Sequence, residues 1–302
     1  MKREFARESF LRVAPDNLAM EVVAEGLGLC EGPVWVADDE ALLFTDLAAD
    51  AIWRWRPGRA LEPVVRPAGR PNGLALDRLG RVVVAGWAAR SIWRINLDGS
   101  QEVLATTFQG VRINTPNDVI VAPDGAVLFT DPAGGLVNPG MAGADLQRYL
   151  DFDGVFRLDE AGQLTLLLDD FAYPNGLCLS PDASLLFVDD TRRQHVRVFE
   201  VRPDGSLSAG RLFFQLVGDE PGAADGIKVD QEGNVYVAGP GGIQVCDASG
   251  QLLGRLLLPA HVTNFGWGGD DWRWLHVTTW SGVYRLHLGL PGLPTGTRAW
   301  RT

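Results

Sequence analysis

The feature that most constrains this chain is a hairpin unit that recurs six times along its 302 residues. Its clearest copy spans residues 116–131. There the polar pair Asn117-Asp118 opens a short β-branched run, residues 123–125 (Pro-Asp-Gly) turn the chain, and an apolar run returns. Two such runs joined by a turn of this composition are typical of a β-hairpin. Because a repeat of this size cannot bury its apolar faces alone, the copies are expected to pack on one another.

The other five copies begin in the same way, with one polar residue before the first apolar run. The six starting residues are Glu31, Asn72, Asn117, Asn175, Asp225 and Asn264. A third short apolar run follows each hairpin, and most repeats continue through a glycine-containing turn into a fourth. Six repeats of four short strands, without a long helical pattern, predict an all-β fold: a six-bladed β-propeller with four antiparallel strands per blade.

The repeats use nearly the whole chain, so we expect residues 1–302 to form a single propeller domain, although the length alone would allow two. Residues 20–24 form a strand-like run before the first repeat. Because a ring closes best when one blade is built from both chain ends, we expect this N-terminal strand to complete the last blade. A long insert at 132–154 interrupts the third blade. Two interpretations of it stay open, a surface loop and a rim over the site.

Composition and charge limit the classes of binding partner that this chain can have. The net charge of −11 and the isoelectric point near 4.8 argue against nucleic-acid binding. The sequence contains no apolar stretch of membrane-spanning length and no signal-peptide pattern, so no membrane association is expected. Cys30, Cys178 and Cys246 lack paired spacing, which predicts buried, reduced thiols in a cytoplasmic protein. These features leave a small-molecule substrate among the possible partners, and the oligomeric state stays open.

The six starting residues also predict the site. The first strand of a propeller blade is innermost, so equivalent positions converge around the axis. All six are carboxylates or carboxamides, which strands otherwise disfavour. An alternative interpretation is that Asn-Gly and Asp-Gly simply begin strands after turns, but it does not account for Glu31. Such oxygen ligands suit a hard divalent cation, and two carboxylates near an axis would be costly without one.

Several of these segments resemble the SMP-30/gluconolactonase/luciferin-regenerating-enzyme family. The resemblance lies in residues 31–35, 114–119 with 129–132, 173–177 and 225–226, and it covers roughly residues 20–288. It implies a six-bladed propeller with one catalytic divalent metal near the axis. By position it implies Glu31, Asn175 and Asp225 as metal ligands. Asn117 matches a residue that binds the metal or contacts substrate and water, and Asn72 matches a less critical inner position.

The departures from the family pattern fall around the substrate. Bacterial relatives often carry a Cys-Glu-His-like segment where this chain has residues 85–90, which include Trp87, and a Pro-Tyr-Gly is replaced by residues 133–135. Animal relatives have an Arg where this chain has Thr115, with Arg112 nearby. We interpret Asn72, Arg112 and Trp87 as candidate substrate-binding residues. For Trp87, a role in blade packing is the alternative.

The resemblance implies a metal-dependent lactonase that opens a sugar lactone to its hydroxy acid by attack of an activated water. Asp225 is then the candidate general base, and Asn117 and Asn175 hold the ion and water in register. The ion could be Ca, Zn, Mg, Mn or Fe(II). Three alternatives stay open: a hydrolase of other esters or organophosphates on the same scaffold, a non-catalytic ligand-binding propeller, and a metal-free propeller like strictosidine synthase.

Overall fold

The structure, a computed structural model, describes residues 2–137, 141 and 143–295. The chain begins with strand β1 (Lys2–Phe5), the short helix α1 (Phe10–Val13) and strand β2 (Met20–Glu25). The first blade contains β3 (Cys30–Val36), β4 (Ala41–Asp46), β5 (Ala51–Trp55) and β6 (Glu62–Val65). The second contains β7 (Pro71–Leu76), β8 (Val82–Gly86), β9 (Ser91–Ile95) and β10 (Gln101–Ala105).

The remaining blades follow the same order. A small hairpin, β11 (Thr107–Phe108) and β12 (Val111–Arg112), precedes the third blade, which contains β13 (Val119–Val121), β14 (Val127–Asp131), β15 (Asp153–Leu158) and β16 (Leu164–Phe171). The fourth blade contains β17 (Pro174–Leu179), β18 (Leu185–Asp190), β19 (His195–Glu200) and β20 (Arg211–Gln215). The fifth contains β21 (Ile227–Val229), β22 (Val235–Gly239), β23 (Gly242–Cys246) and β24 (Leu252–Leu257), and the sixth β25 (Val262–Gly268), β26 (Trp274–Thr279) and β27 (Gly282–His287). Single 3₁₀ turns occupy Ala37–Asp39 and Ala133–Val137.

The innermost strands form a closed cycle. Strand β3 packs against β7, β7 against β13, β13 against β17, β17 against β21, β21 against β25, and β25 against β3. Within each blade the strands pair antiparallel in chain order from the axis outward. The predicted six-bladed β-propeller with four-stranded blades is confirmed.

The ring is closed by the N-terminal strand, as predicted. Strand β2 pairs antiparallel with β27 as the outermost strand of the last blade. The structure adds a feature that the sequence did not predict, because β1 pairs with β24 as a fifth strand on the fifth blade. Between these strands, Phe10 and Val13 of α1 are buried in the apolar cluster that joins the fifth and sixth blades. The N-terminal segment therefore ties two blades together.

The core lies between neighbouring blades, where the alternating apolar residues of adjacent sheets meet. One such cluster joins the first two blades through Val34, Leu43, Leu74 and Val84. Cys30, Cys178 and Cys246 are buried and form no disulfide, as expected. In the part of the chain that the structure describes, no helix has the length and apolarity needed to cross a membrane.

The two ends of the propeller axis differ. The polar starting residues lie at one end, which we call the site end. The opposite end, which we call the tail end, holds an apolar cavity of about 170 Å³. It is lined by residues from all six inner strands, among them Leu76, Val121 and Val229, and by Leu293. The C-terminal segment crosses it, with a bridge between Gly292 and Asp230.

A buried histidine joins the last blade to the first. His276 on β26 is 1% exposed and stacks on Trp35, with ring centroids 5.3 Å apart. Burial, followed by the charge of Arg285, lowers the pKa of His276 to about 3. An unfolded imidazole titrates near 6.5. Between these values the unfolded chain binds a proton that the folded chain does not, so His276 makes stability fall as the pH falls below 6.5.

His276→Phe keeps the ring stack and removes this proton. Between pH 6.5 and 4.5, the wild type should lose about 2 kcal/mol more unfolding free energy than this variant. Urea unfolding at a series of pH values measures the difference. The half-exposed His287 supplies the control, and His287→Phe should keep the wild-type acid loss. Parallel pH profiles for wild type and His276→Phe would contradict the assignment.

Candidate metal and substrate site

The structure places all six starting residues at the site end. Glu31, Asn72, Asn175 and Asn264 are buried at or near the beginnings of β3, β7, β17 and β25. Asn117 and Asp225 lie directly before β13 and β21, the first buried and the second half-buried. Since these inner strands all contact their neighbours around the axis, one polar group from every blade is presented to the same space.

Glycine follows four of these residues because the inner strands approach one another closely there. At Gly32, which has a φ of +52°, a Cβ atom would lie 2.4 Å from the carbonyl oxygen of Asn72. At Gly176 a Cβ atom would lie 2.2 Å from the carbonyl oxygen of Asp225. Neither distance is tolerable between non-bonded atoms, so a side chain at either position would push two blades apart.

Hydrogen bonds between blades hold this arrangement. Threonine hydroxyls donate to backbone carbonyls of the next inner strand, from Thr45 to Asn72, from Thr130 to Asn175 and from Thr263 to Cys30, at 2.6–2.9 Å. Backbone amides do the same from Gly73 to Asn117 and from Gly226 to Thr263. The backbone that carries the site is therefore bonded across blade boundaries.

Within the described part of the chain, one oxygen of the Glu31 carboxylate accepts hydrogen bonds from neighbouring residues, and the other does not. Its Oε2 accepts hydrogen bonds from the Gly32 amide at 2.9 Å and from Asn264 Nδ2 at 3.0 Å, while the described residues supply no donor to Oε1. Burial, followed by the charge of Asp118, raises the pKa of Glu31 to about 7, against the lowering effect of those bonds and of Lys228. Such a carboxyl holds its charge more readily when a cation is near.

Asp225 shares this environment. Burial, followed by the charges of Glu31, Asp189 and Asp118, raises its pKa well above the ordinary range, and a hydrogen bond from Asn175 opposes the rise. The structure therefore brings Glu31, Asn175 and Asp225 within electrostatic reach of one another. Asn175 also donates from Nδ2 to the Thr191 hydroxyl at 3.0 Å. With its amide N–H groups used in this way, its carbonyl oxygen is the atom left for a ligand.

Asn117 joins the same group through Tyr173, which the sequence analysis did not assign a role. Tyr173 hydrogen-bonds the Asn117 side chain, and burial followed by the charge of Asp225 raises the tyrosine pKa. Across the space, the buried Oδ1 of Asn72 has no hydrogen-bond partner among the described residues. An unpartnered buried carbonyl oxygen is costly, and it fits a cation or a substrate hydroxyl.

Carboxylates alone do not make a metal site here. Within residues 2–137, 141 and 143–295, no three His, Cys, Asp or Glu side chains are grouped so as to hold a metal ion. The predicted ligand set contains two carboxylates and two carboxamides, so any cation would depend on the asparagine oxygens.

Trp87 and Arg112, predicted to bind substrate, both contact the insert. Trp87 is buried, and a Cβ atom at Gly135 of the insert would lie 2.5 Å from its indole ring. Arg112 pairs with Asp145 of the insert at 2.7 Å. Residues 138–140 and 142 of the insert lie outside the described residues. Both predicted substrate-binding residues therefore lie against the insert, and their role in substrate binding stays a prediction.

The insert is anchored by Arg90, which the sequence analysis did not single out. Its side chain is 1% exposed and donates to the backbone carbonyls of Ile113, Asn114, Asp145 and Gln147 at 2.8–3.1 Å. Its guanidinium also lies over the Tyr149 ring. A planar group with five donors can satisfy several carbonyls at once, which explains an arginine at this position.

Sequence reasoning also missed three charged residues of the tunnel. Asp118 and Lys228 form an ion pair at 3.3 Å, and Asp189 is fully buried beside the backbone of Gly176. The sequence does contain a signal for Lys228, because lysine is rare in this chain, with two lysines against 25 arginines. Lys228 is one of these two lysines, and it lies on an inner strand.

The fold and site define a class: a six-bladed propeller with carboxylate and carboxamide oxygens around one end of its axis. Residues 29–281 match the family model described as SMP-30/Gluconolactonase/LRE-like region. The chain belongs to this family.

Individual relatives agree with that assignment. The chain is 32% identical over 258 residues to a gluconolactonase of Zymomonas mobilis, covering 78% of this chain and 72% of that protein. It is 29% identical over 268 residues to a pentonolactonase of Haloferax volcanii, covering 86% and 84%. A solved gluconolactonase of Xanthomonas campestris superposes with a TM-score of 0.88 at 30% identity, covering 95% of each chain.

The anchoring role of Arg90 can be tested against Arg112, which pairs with the same Asp145. Arg90→Met leaves the buried carbonyls of Ile113 and Asn114 and the partly buried carbonyls of Asp145 and Gln147 without this donor. It should therefore destabilise the protein by about 2–5 kcal/mol and speed amide exchange in residues 143–150. Arg112→Met removes a partly exposed pair and should cost less than about 1 kcal/mol. Unfolding titrations and hydrogen exchange measure both. Equal effects would show that Arg90 does not anchor the insert.

Proposed function

We propose that this protein is a divalent-metal-dependent lactonase that opens a sugar lactone to its hydroxy acid. One observation carries the proposal: among the described residues no hydrogen-bond donor reaches Glu31 Oε1, Asn72 Oδ1 or the side-chain oxygen of Asn175, at the same end of the axis as the half-buried carboxylate of Asp225. A group of acceptors with too few donors is satisfied by a cation. The similarity to two sugar lactonases supports the reaction class.

The donor set fits one hard divalent ion. Glu31, Asn117, Asn175 and Asp225 would hold it with oxygen atoms, which Ca²⁺, Mg²⁺ and Mn²⁺ favour and which Zn²⁺ and Fe²⁺ also accept. Two carboxylates provide the charge, and their mutual repulsion in a buried setting is what a cation would relieve. When bound, the ion would supply a Lewis acid that stabilises negative charge developing on the lactone carbonyl oxygen.

The protein residues would supply the rest of the chemistry. Asp225 would take a proton from the attacking water while the oxygen of that water bonds to the carbonyl carbon. The bond between that carbon and the ring oxygen then breaks, and the proton passes to the leaving alkoxide, giving a hydroxy acid. Asn117, hydrogen-bonded to Tyr173, would orient the water. Asn72, with its unpartnered Oδ1, would accept a hydrogen bond from a sugar hydroxyl.

The two carboxylates should respond differently to loss of charge. Asp225→Asn removes the proposed base as well as a ligand charge, whereas Glu31→Gln removes a ligand charge alone. Loss of a general base costs on the order of 10²–10⁴-fold in rate. Excess Ca²⁺, Mn²⁺ or Zn²⁺ should therefore restore Glu31→Gln substantially and Asp225→Asn hardly at all. The recovery of activity is measured as the rate of hydrolysis of glucono- and pentonolactones, monitored by proton release, across a metal titration.

Two outcomes of that experiment would redirect the proposal. If excess metal restores both variants equally, Asp225 is a ligand only and another group is the base. If the wild type retains full activity after exhaustive chelation, metal dependence is refuted.

A substrate panel separates the alternatives. The purified protein, metal-loaded, should hydrolyse five- or six-membered sugar lactones at least about tenfold faster in kcat/KM than phosphotriesters or simple aryl esters. Faster phosphotriester hydrolysis would favour the organophosphate alternative. Metal binding without turnover of any of these would favour a ligand-binding propeller.

A further inference from the structure

Lys228 reaches across the axial tunnel. It lies on the short inner strand β21 between Ile227 and Val229, which are buried in the fifth blade. Because successive side chains alternate across a strand, Lys228 faces the opposite way from both. Its Nζ donates to Asp118 Oδ2 at 3.3 Å and to Asn264 Oδ1 at 3.1 Å. Asp118 belongs to the third blade and Asn264 to the sixth, so one side chain links three blades.

These contacts fix the orientation of the Asn264 amide. Its Oδ1 accepts from Lys228 Nζ and from the backbone amide of Phe265 at 2.9 Å. Two donors at the same atom require it to be the carbonyl oxygen, so the NH₂ group must point away from Lys228. It points at Glu31, to whose Oε2 it donates at 3.0 Å.

The orientation of Glu31 follows from that bond. Its Oε2 takes the Asn264 NH₂ and the Gly32 amide together, so that oxygen is committed to the protein. Among the described residues, Oε1 receives no donor and is the oxygen available to a ligand. A rotated Asn264 amide would instead present its own oxygen to the Glu31 carboxylate, and the two groups would repel.

We propose that Lys228 is a positioning residue for the metal site: through Asn264 it holds Glu31 with Oε1 presented to the cation. The inference rests on the proposed function, in which Glu31 is a metal ligand. It assigns Lys228 no contact with substrate or metal.

Simple electrostatics predicts the opposite effect of removing this lysine. A positive charge near a cation site repels the cation, so its loss should tighten metal binding. Loss of a group that orients a ligand typically weakens metal affinity about 10–100-fold. The direction of the change therefore distinguishes a positioning role from a charge that merely lies in the tunnel.

The test uses Lys228→Met, which keeps the length of the side chain and removes its charge and donors. Calorimetric titration with Ca²⁺ and separately with Mn²⁺ should show Kd raised about 10–100-fold. Arg197→Met is the matched control, because Arg197 of the fourth blade is similarly buried at 18% exposure and pairs with Asp170 of the third blade. Its affinity should stay within about twofold of the wild type. Unchanged or tighter binding by Lys228→Met overturns the proposal.

A double-mutant cycle tests the route through Asn264. If Lys228 acts by orienting that amide, Asn264→Ala should weaken binding as much as Lys228→Met does, and the double variant should add little to either. Additive effects overturn the route. Asn264→Ala leaves the ion pair of Lys228 with Asp118 in place, so it also carries the test if Lys228→Met does not fold: unchanged metal affinity in Asn264→Ala then overturns the proposal.

Crystal structures of the metal-free wild type and Lys228→Met separate this inference from the proposed function. The variant should lose the bond from Asn264 Nδ2 to Glu31 Oε2, and a variant that keeps it overturns the proposal even if the protein binds no metal. A wild type that binds no divalent ion would refute the proposed function, while the crystallographic comparison still decides whether Lys228 orients Glu31.

Discussion

The site depends on the close contact between inner strands of neighbouring blades. At Gly32 and Gly176 the backbone of one blade occupies the space that a side chain would fill, and threonine hydroxyls bond from blade to blade at the same level. This contact sets the diameter of the ring at the site end. It also brings residues such as Glu31 and Asp225, almost 200 positions apart in the chain, within reach of one another's charge.

The carboxylates around the axis are buried or half-buried, so their negative charges need positive partners nearby. Burial raises the pKa of Glu31, Asp225 and Asp189, which means that their charged forms are disfavoured without a positive partner. Lys228 supplies one such charge from within the chain, paired with Asp118. The proposed divalent ion would supply the other. The two positive charges would lie at different depths, because Lys228 is three residues further along its inner strand than Asp225.

The sequence by itself determined the fold and the positions of the axial residues. Six copies of one hairpin pattern can bury their apolar faces only against one another, so the repeat implied the propeller, and the strand-like run at residues 20–24 implied how the ring closes. The polar residue that opens each repeat lies where the first strand is innermost. Position in the repeat was therefore enough to place Glu31, Asn117, Asn175 and Asp225 at one end of the axis.

Tertiary structure alone decided which side chains meet across the tunnel and along the insert. No local pattern relates Lys228 to Asp118 and Asn264, or Arg90 to the carbonyls of Asp145 and Gln147, because these partners are up to 110 residues apart and belong to different blades or to an irregular loop. For the same reason the contacts of Trp87 and Arg112 with the insert could not be predicted. The insert is not part of the repeat, so the repeat pattern does not indicate which residues it contacts. Because the unit repeats, the scaffold and its axial residues can be predicted from the sequence, whereas the contacts that orient those residues form only when the ring is closed.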